Sequence, residues 1–450
     1  MTIAELKNKK VLILGLGKEG TSTLKLLRKK FPEKVISLAD RKTLVELEKD
    51  LQKIAKNDRK LKLHLGNSYQ KNLDQFDVII KSPGLLLEKS TKGEVTSQTQ
   101  IFMNLFKNKV IGITGTKGKT TTSSLIHKIL KDAKINALLV GNVGNPPFDY
   151  LEKAKVTDIF VFELSSFQLQ DLEASPHIAI FLNLYKEHLD YHGNFENYKN
   201  AKINISKWQN NGDFLIYNAD FQILEKIAVT GKAKKIPFSI NQKLKSGAYI
   251  DGEWLFFNQE KVLKISETKL KGRFNHNNIL AAVSAAKILK IPNKKIASSV
   301  KKFEPVKHRI QFIGSYGGID FINDSIATIP EATIAALETF NPNINTLIVG
   351  GYNRGLDYSR LSKKIVEEKI PNLILFPETG KIILEGIKRQ NRFVPKYLFV
   401  KNMKNAVEIA AKITAKGKIC LLSPASSSFN LFKNYQDRGE QFQKYVRKLI

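Results

Sequence analysis

Cysteine is almost missing from this chain of 450 residues, where Cys420 stands alone. A single thiol excludes an internal disulfide framework and fits a reducing, cytoplasmic compartment. Its setting in the apolar run ICLL predicts a buried structural thiol rather than a nucleophile. Long apolar runs are missing too. No stretch approaches the roughly 18 consecutive residues of a membrane helix, so no membrane partner is expected. The opening MTIAELKNKKVLILGLG lacks the cleavage pattern of a signal peptide, because its apolar run leads straight into a glycine turn. Acidic residues are in short supply. The chain has 42 Asp and Glu against 73 Lys and Arg, a net charge of +31. Such a balance invites a nucleic-acid partner, but the lysines are dispersed over nearly every segment, and arginine, the preferred reader of base edges, is scarce beside them. General attraction for anionic substrates, or a lysine-biased composition, accounts for the charge without a nucleic-acid role.

What remains is ordinary for a globular protein, with 42% hydrophobic and 26% charged residues. The length is too great for one core and implies several domains. Apolar strand, glycine turn and amphipathic helix recur in that order, which predicts an α/β fold with mostly parallel sheets. Strands are expected at Val11–Leu14, Val35–Ala39 and Val78–Ile80 in a first segment. A second segment has them at Val110–Ile113, Ala137–Val140, Ile159–Phe162, Ile178–Leu182 and Phe214–Tyr217, with hairpins around Ala248–Ile265 and a closing helix after Gly272. A third segment has them near Gly318–Ile322, then at Thr346–Val349, Leu373–Phe376 and Ile419–Leu422. These segments place domains at 1–108, 109–305 and 306–450.

Four motifs carry chemistry. GLGKEG at Gly15–Gly20 follows a strand and opens a helix, with Asp40 ending the next strand. Glycines let a diphosphate approach the backbone, the helix N-terminus supplies N–H donors, and a carboxylate can hold a hydroxyl or ring N–H. A tight glycine turn without a ligand explains the same residues. GITGTKGKTT at Gly112–Thr121 also joins a strand to a helix. Its N–H groups can wrap a phosphate chain, Lys119 can neutralise the β- and γ-phosphates, and the Thr120 hydroxyl suits Mg²⁺, so this loop predicts ATP binding. A nicotinamide oxidoreductase has no use for this second loop, and a simple phosphate-loop kinase none for the first. The third motif, FELSSFQ at Phe162–Gln168, puts Glu163 at the carboxyl end of a strand, where it can face a metal held by Thr120. The fourth is NLYKEHLDYHG at Asn183–Gly193, followed by Lys202. From the residues alone His188 is as readily a satisfied histidine as a ligand, and Lys202 is an ordinary solvated lysine.

Taken as a set, TGTKGKTT, ELSSFQ, the His188 and Lys202 segments, and SPASSS with FKNYQDRG in Ser423–Gly439 resemble the Mur ligases over essentially the whole chain. ELSSFQ and the last motif point to the glutamate-adding branch. The resemblance implies three domains: an N-terminal Rossmann-like domain for the UDP moiety, a central P-loop domain for ATP, and a C-terminal Rossmann-like domain for the incoming amino acid. It implies UDP-substrate contacts from Gly15, Gly17, Lys18, Glu19, Asp40, Gly84, Asn142 and His188. ATP contacts are implied for Gly115, Thr116, Lys117, Gly118, Lys119, Thr120 and Thr121, for Asn275 and Asn278, and for Arg309 and Asp324. Metal-site residues are implied at Thr120, Glu163, His188 and Lys202, the lysine being carbamylated in the family, with two Mg²⁺ ions. Arg354, Ser428 and Tyr435 are implied for glutamate. Phe274 replaces a histidine common in the family, Arg354 stands where many relatives have lysine, and Ile326 also replaces a lysine, which leaves open D- or L-glutamate.

The expected reaction is amide formation between UDP-N-acetylmuramoyl-L-alanine and glutamate through an acyl phosphate, catalysed by Lys119, Glu163, His188 and Lys202 in a monomeric enzyme. A diamino-acid-adding ligase and a basic nucleic-acid-binding ATPase are the alternatives.

Overall fold

Short aliphatic strands, each leading into a helix, form three mainly parallel sheets in the computed structural model of the chain. The structure describes residues 1–141, 145–151, 154–155, 157–185, 187–270, 272–304 and 307–449, with the backbone alone at 189 and 190. The described chain forms two compact units, Met1–Thr268 with Asn275–Phe303, and Lys269–Phe274 with Glu304–Ile450.

The first unit holds two sheets. One consists of β1 (Val11–Leu14), β2 (Ile36–Asp40), β3 (Leu61–Leu65), β4 (Val78–Lys81) and β5 (Glu94–Thr96), ordered β3-β2-β1-β4-β5 and parallel throughout. Successive side chains of β1 point to opposite faces, so Val11 and Ile13 join one core with Leu24 and Leu27, while Leu12 and Leu14 join another with Tyr69 and Phe76. Burying each such side chain stabilises the fold by roughly 1.5–3 kcal/mol. Strand β2 starts one residue later than its sequence suggests, which makes Asp40 its last member.

The other sheet of this unit comprises β6 (Val110–Thr114), β7 (Ala137–Gly141), β8 (Ile159–Glu163), β9 (Ile178–Phe181), β10 (Phe214–Asn218), β11 (Lys234–Ser239), β12 (Ala248–Asp251), β13 (Trp254–Phe257) and β14 (Glu260–Lys264). Its order is β14-β13-β12-β11-β10-β9-β6-β8-β7, and the expected hairpins are the antiparallel β12, β13 and β14. The second unit has one sheet of β15 (Gln311–Tyr316), β16 (Ile319–Asn323), β17 (Ile344–Gly351), β18 (Asn372–Glu378), β19 (Lys396–Phe399) and β20 (Ile419–Leu422). The order is β15-β16-β20-β17-β18-β19, parallel except for the β15–β16 hairpin.

Each sheet reverses its winding once: between β1 and β4, between β6 and β9, and between β17 and β20. Loops leaving the carboxyl ends at such a reversal diverge and open a crevice, the place where open α/β sheets bind ligands. Three of the four sequence motifs and the proposed glutamate residues leave from these points, and FELSSFQ leaves β8, the strand next to β6.

Candidate active site

At the first reversal, the turn after β1 is closed by short contacts. Gly15 has φ +92°, and a Cβ on Gly20 would strike the Gly15 carbonyl, so the helix Lys18–Lys30 can start only on a glycine there. Ser82, after β4, donates to the Gly15 carbonyl at 2.8 Å and ties the turn to the Ser82–Gly84 loop. Asp40 accepts from the Leu16 N–H at 2.6 Å and from the Lys42 N–H at 2.9 Å. It also lines a cavity of about 570 Å³ with Arg41, Lys42 and Gly66. Gly17 and Lys18 are exposed at the turn. Asn142 lies outside the described residues.

At the second reversal, the loop after β6 wraps tightly. Gly118 has φ +87°, and a side chain there would strike Asn278 Oδ1, so this close approach needs glycine. Asn278 also accepts from the Thr122 hydroxyl at 3.2 Å and donates to Asn275 Oδ1 at 3.1 Å, so both buried asparagines brace the phosphate loop. Asn183, after β9, accepts from the Lys117 N–H at 2.8 Å and donates back to the Lys117 carbonyl at 3.0 Å. Lys119 begins the helix Lys119–Asp132, and its ammonium donates to the carbonyls of Gly115 at 2.9 Å and Thr116 at 3.1 Å. Thr120 and Thr121 complete the first helical turn.

Lys202 corrects its residue-only reading. It is 1% exposed, not solvated, and projects from the helix Phe195–Lys207 to donate to Thr114 Oγ1 at 3.2 Å and the Gly115 carbonyl at 3.0 Å. Burial, assisted by the nearby Lys119 ammonium, holds its amine well below the usual lysine range. Glu163 ends β8 beside Ile113 and Gly141, and its Oε2 is buried with no hydrogen-bond partner among the described residues. A bare buried carboxylate oxygen suits a hard cation. His188 has φ +55° and a half-exposed ring lying 5.0 Å from that of Phe167. Among the described residues, no three His, Cys, Asp or Glu side chains gather as a ready metal cage. The expected set contains only two such residues, Glu163 and His188, and adds a hydroxyl and a lysine.

The first turn and the phosphate loop share one cavity of about 310 Å³, whose wall includes Glu19, Pro83, Lys119, Glu187, His188 and Lys202. Its chemistry suits an anionic chain: two lysines lie in the wall, and Lys117 nearby pairs with Glu187 at 2.6 Å. Glu187 and Gln168 are among the wall residues to which the sequence reading gave no role. Glu187 directly precedes His188, and Gln168 sits inside the quoted ELSSFQ, so position within a motif was the available signal. Gln168 caps its own short helix through Oε1 and donates from Nε2 to Glu19 Oε1 at 2.8 Å.

At the reversal in the second unit, Tyr352 donates its N–H to the Ser427 carbonyl at 2.9 Å, which brings the loops after β17 and β20 side by side. Arg354 is exposed on one loop, Ser428 is buried on the other, and Tyr435 starts the helix Tyr435–Val446, half-buried. Asp324 follows β16 and accepts from Ser423 Oγ at 2.8 Å and the Ile310 N–H at 3.2 Å. Burial pushes its carboxyl up to about 7. Arg438, fully buried, donates to Ser325 Oγ and to the Ser325 and Ser426 carbonyls at 2.8–3.0 Å, and burial lowers it to about 9. Arg309 Nε is buried without a partner among the described residues.

This fold agrees with comparisons to known proteins. A family profile described as Mur ligase MurD-like, N-terminal domain, matches residues 9–100. Those described as Mur ligase middle domain and as Mur ligase, glutamate ligase domain, match 113–286 and 308–426. The chain belongs to the Mur ligase family, and it is a ligase. Two similar relatives are both named UDP-N-acetylmuramoylalanine–D-glutamate ligase. That of Ligilactobacillus salivarius is 34% identical over 99% of this chain and 98% of its own. That of Oceanobacillus iheyensis is 35% identical over 98% and 97%. A crystal structure of MurF ligase from Thermotoga maritima in complex with ADP matches with a TM-score of 0.60 at 17% identity, covering 99% of this chain and 97% of that one, which supports the three-domain fold.

Proposed function

We propose that the protein joins D-glutamate to the alanyl carboxylate of UDP-N-acetylmuramoyl-L-alanine at the expense of ATP, in peptidoglycan precursor synthesis. The observation that carries this reading is the single cavity walled by both the first glycine turn and the phosphate loop, in a chain whose full-length relatives bear that activity in their names. Residues 1–108 would take the UDP moiety, 109–305 ATP, and 306–450 the amino acid. Gly15, Gly17, Lys18 and Glu19 would meet the diphosphate with Gly84 and Asn142. Asp40 and its cavity would meet the uridine.

In the reaction, an oxygen of the substrate carboxylate attacks the γ-phosphorus of ATP, and the bond from that phosphorus to ADP breaks. The glutamate amine then attacks the acyl carbon, the bond to phosphate breaks, and the amine proton leaves. Phosphorylation supplies a leaving group that a carboxylate lacks. The residues of Gly115–Thr121 would cradle the triphosphate, with Lys119 stabilising charge on the transferring group. Asn275, Asn278, Arg309 and Asp324 would serve the rest of the nucleotide.

Thr120, Glu163, His188 and a carbamylated Lys202 would hold Mg²⁺, and the uncovered Glu163 oxygen fits that ion. Bound Mg²⁺ neutralises phosphate charge. Burial weakens the hold of the Lys202 amine on its proton, and the unprotonated amine is the form that reacts with CO₂, which favours carbamylation of Lys202. Arg354, with Ser428 and Tyr435, would clamp a glutamate carboxylate in the bidentate manner open to guanidinium. The test is phosphate release with ATP, Mg²⁺ and the UDP substrate, comparing D-glutamate, L-glutamate and meso-diaminopimelate. Turnover with D-glutamate alone is expected, and turnover with L-glutamate or the diamino acid instead would replace this substrate assignment.

A further inference from the structure

Glu19 occupies the first turn of the helix Lys18–Lys30, the end at which N–H groups and the helix dipole favour an anion. Among the described residues its carboxyl is held by one bond only. Gln168 donates to Oε1 at 2.8 Å, while Oε2 is buried with no partner. Gln98 fixes the backbone beneath it by donating to the Glu19 carbonyl at 3.2 Å. Two negative groups therefore compete for one helix end, because the same turn is the one read above as the diphosphate site.

The charged groups around Glu19 do not resolve the conflict. Lys119, Lys202, Glu187 and His188 share the cavity wall, Lys18 is exposed beside it in the chain, and Lys81 is engaged with Asp171 at 3.0 Å. None of them is bonded to Oε2.

We propose that Glu19 must carry a proton for the UDP-linked substrate to bind, so that binding takes up a proton near neutral pH. The inference rests on the reading of this turn as the UDP-substrate site. A neutral carboxyl leaves the helix end to the diphosphate, whereas an ionised one sets a like charge beneath it. Burial pushes the Glu19 carboxyl up to about 7, opposed by the Gln168 hydrogen bond, which places the change in an accessible range. The sign follows directly. The protonated form is the competent one, so affinity is full below about 7 and falls as pH rises through it. If only that form binds, the dissociation constant rises about ten-fold between about pH 6 and 8. The diphosphate of a UDP-sugar is a diester whose charge is constant over that range, so the ligand does not contribute.

The test is calorimetric titration of UDP-N-acetylmuramoyl-L-alanine into the full chain from pH 6 to 8, in two buffers of different ionisation enthalpy, with Glu19→Gln in parallel. The wild type should weaken about ten-fold and take up close to half a proton near pH 7. Glu19→Gln should bind independently of pH and take up none. A wild-type affinity that stays constant overturns the proposal without any variant. A slope that persists in Glu19→Gln overturns it too, and moves the titration to another group. Absence of binding at every pH is a different failure: it removes the UDP-substrate reading of the turn, and this proposal with it.

Discussion

In the first unit, the carboxyls of Glu19 and Glu163 each keep one buried oxygen without a partner among the described residues, whereas in the second unit the buried Asp324 and Arg438 are held by two or three hydrogen bonds apiece. Leaving a buried polar atom unmatched costs about 1–3 kcal/mol, so a fold retains such atoms where something else will meet them. The unmatched oxygens lie at the mouths of the two glycine loops. The matched charges lie under the last helix, where Arg438 joins the Ser325 and Ser426 backbone. The second unit has its own unmatched atom in Arg309 Nε, so the contrast is between these particular groups: Glu19 and Glu163 stay open to the proposed ligands, and Asp324 and Arg438 hold loops in register.

The sharpest way to break this contrast is Lys119→Ala, expected to lower kcat by about 1,000-fold or more while leaving UDP-substrate affinity within about two-fold. Phosphate-release kinetics and calorimetry check it, and turnover within ten-fold of wild type would remove the cavity from the chemistry. Next comes Arg438→Met, expected to cost about 3–5 kcal/mol of stability because the Ser426 carbonyl and the Ser325 groups lose their donor. Urea unfolding reads that loss, and unchanged UDP-substrate binding would confine it to the second unit.

Asp324 gives a pH-dependent version of the same test. Its folded carboxyl lies near 7, above the ordinary 3.8, so the folded state keeps a proton that the unfolded chain has lost in that window. The contribution to stability is full below about pH 4, falls as pH rises, and levels off above about 7. Asp324→Asn should flatten that fall by about 1–4 kcal/mol in melts across the range; an unaltered slope would assign the effect elsewhere. The smallest effect is expected from Glu163→Gln, a rise of about ten-fold in half-saturating Mg²⁺, equivalent to about 1.4 kcal/mol.

These comparisons also mark what was legible in the chain. Strands flanking the three reversals are continuous aliphatic runs buried on both faces, and β1, β6, β17 and β20 were visible for that reason. The strands that sequence reading passed over were weaker signals, the edge strand Gln311–Tyr316 among them. Leu61–Leu65 and Lys396–Phe399 are edge strands with exposed side chains, Glu94–Thr96 is only three residues long, and Lys234–Ser239 contains Pro237.

Of the proposed site residues, Lys119 and Glu163 stood out through short motifs, and His188 only through the family resemblance. Lys202 did not, because its burial depends on β6 and the helix Phe195–Lys207 meeting, far apart in the chain. The Glu19–Gln168 bond spans 149 residues and could come only from the fold. The same holds for Arg438, which its neighbours in sequence present as an ordinary helical cation.

Cys420 lies at the centre of the third sheet, fully buried, with its thiol pushed well above the usual range by that burial. To a maleimide dye it is therefore close to silent, since the reacting form is the thiolate. The natural chain already serves as a blank background for labelling. One cysteine introduced on the surface of each unit would accept a fluorophore pair without any prior removal of native thiols, and single molecules could then be followed through a catalytic cycle.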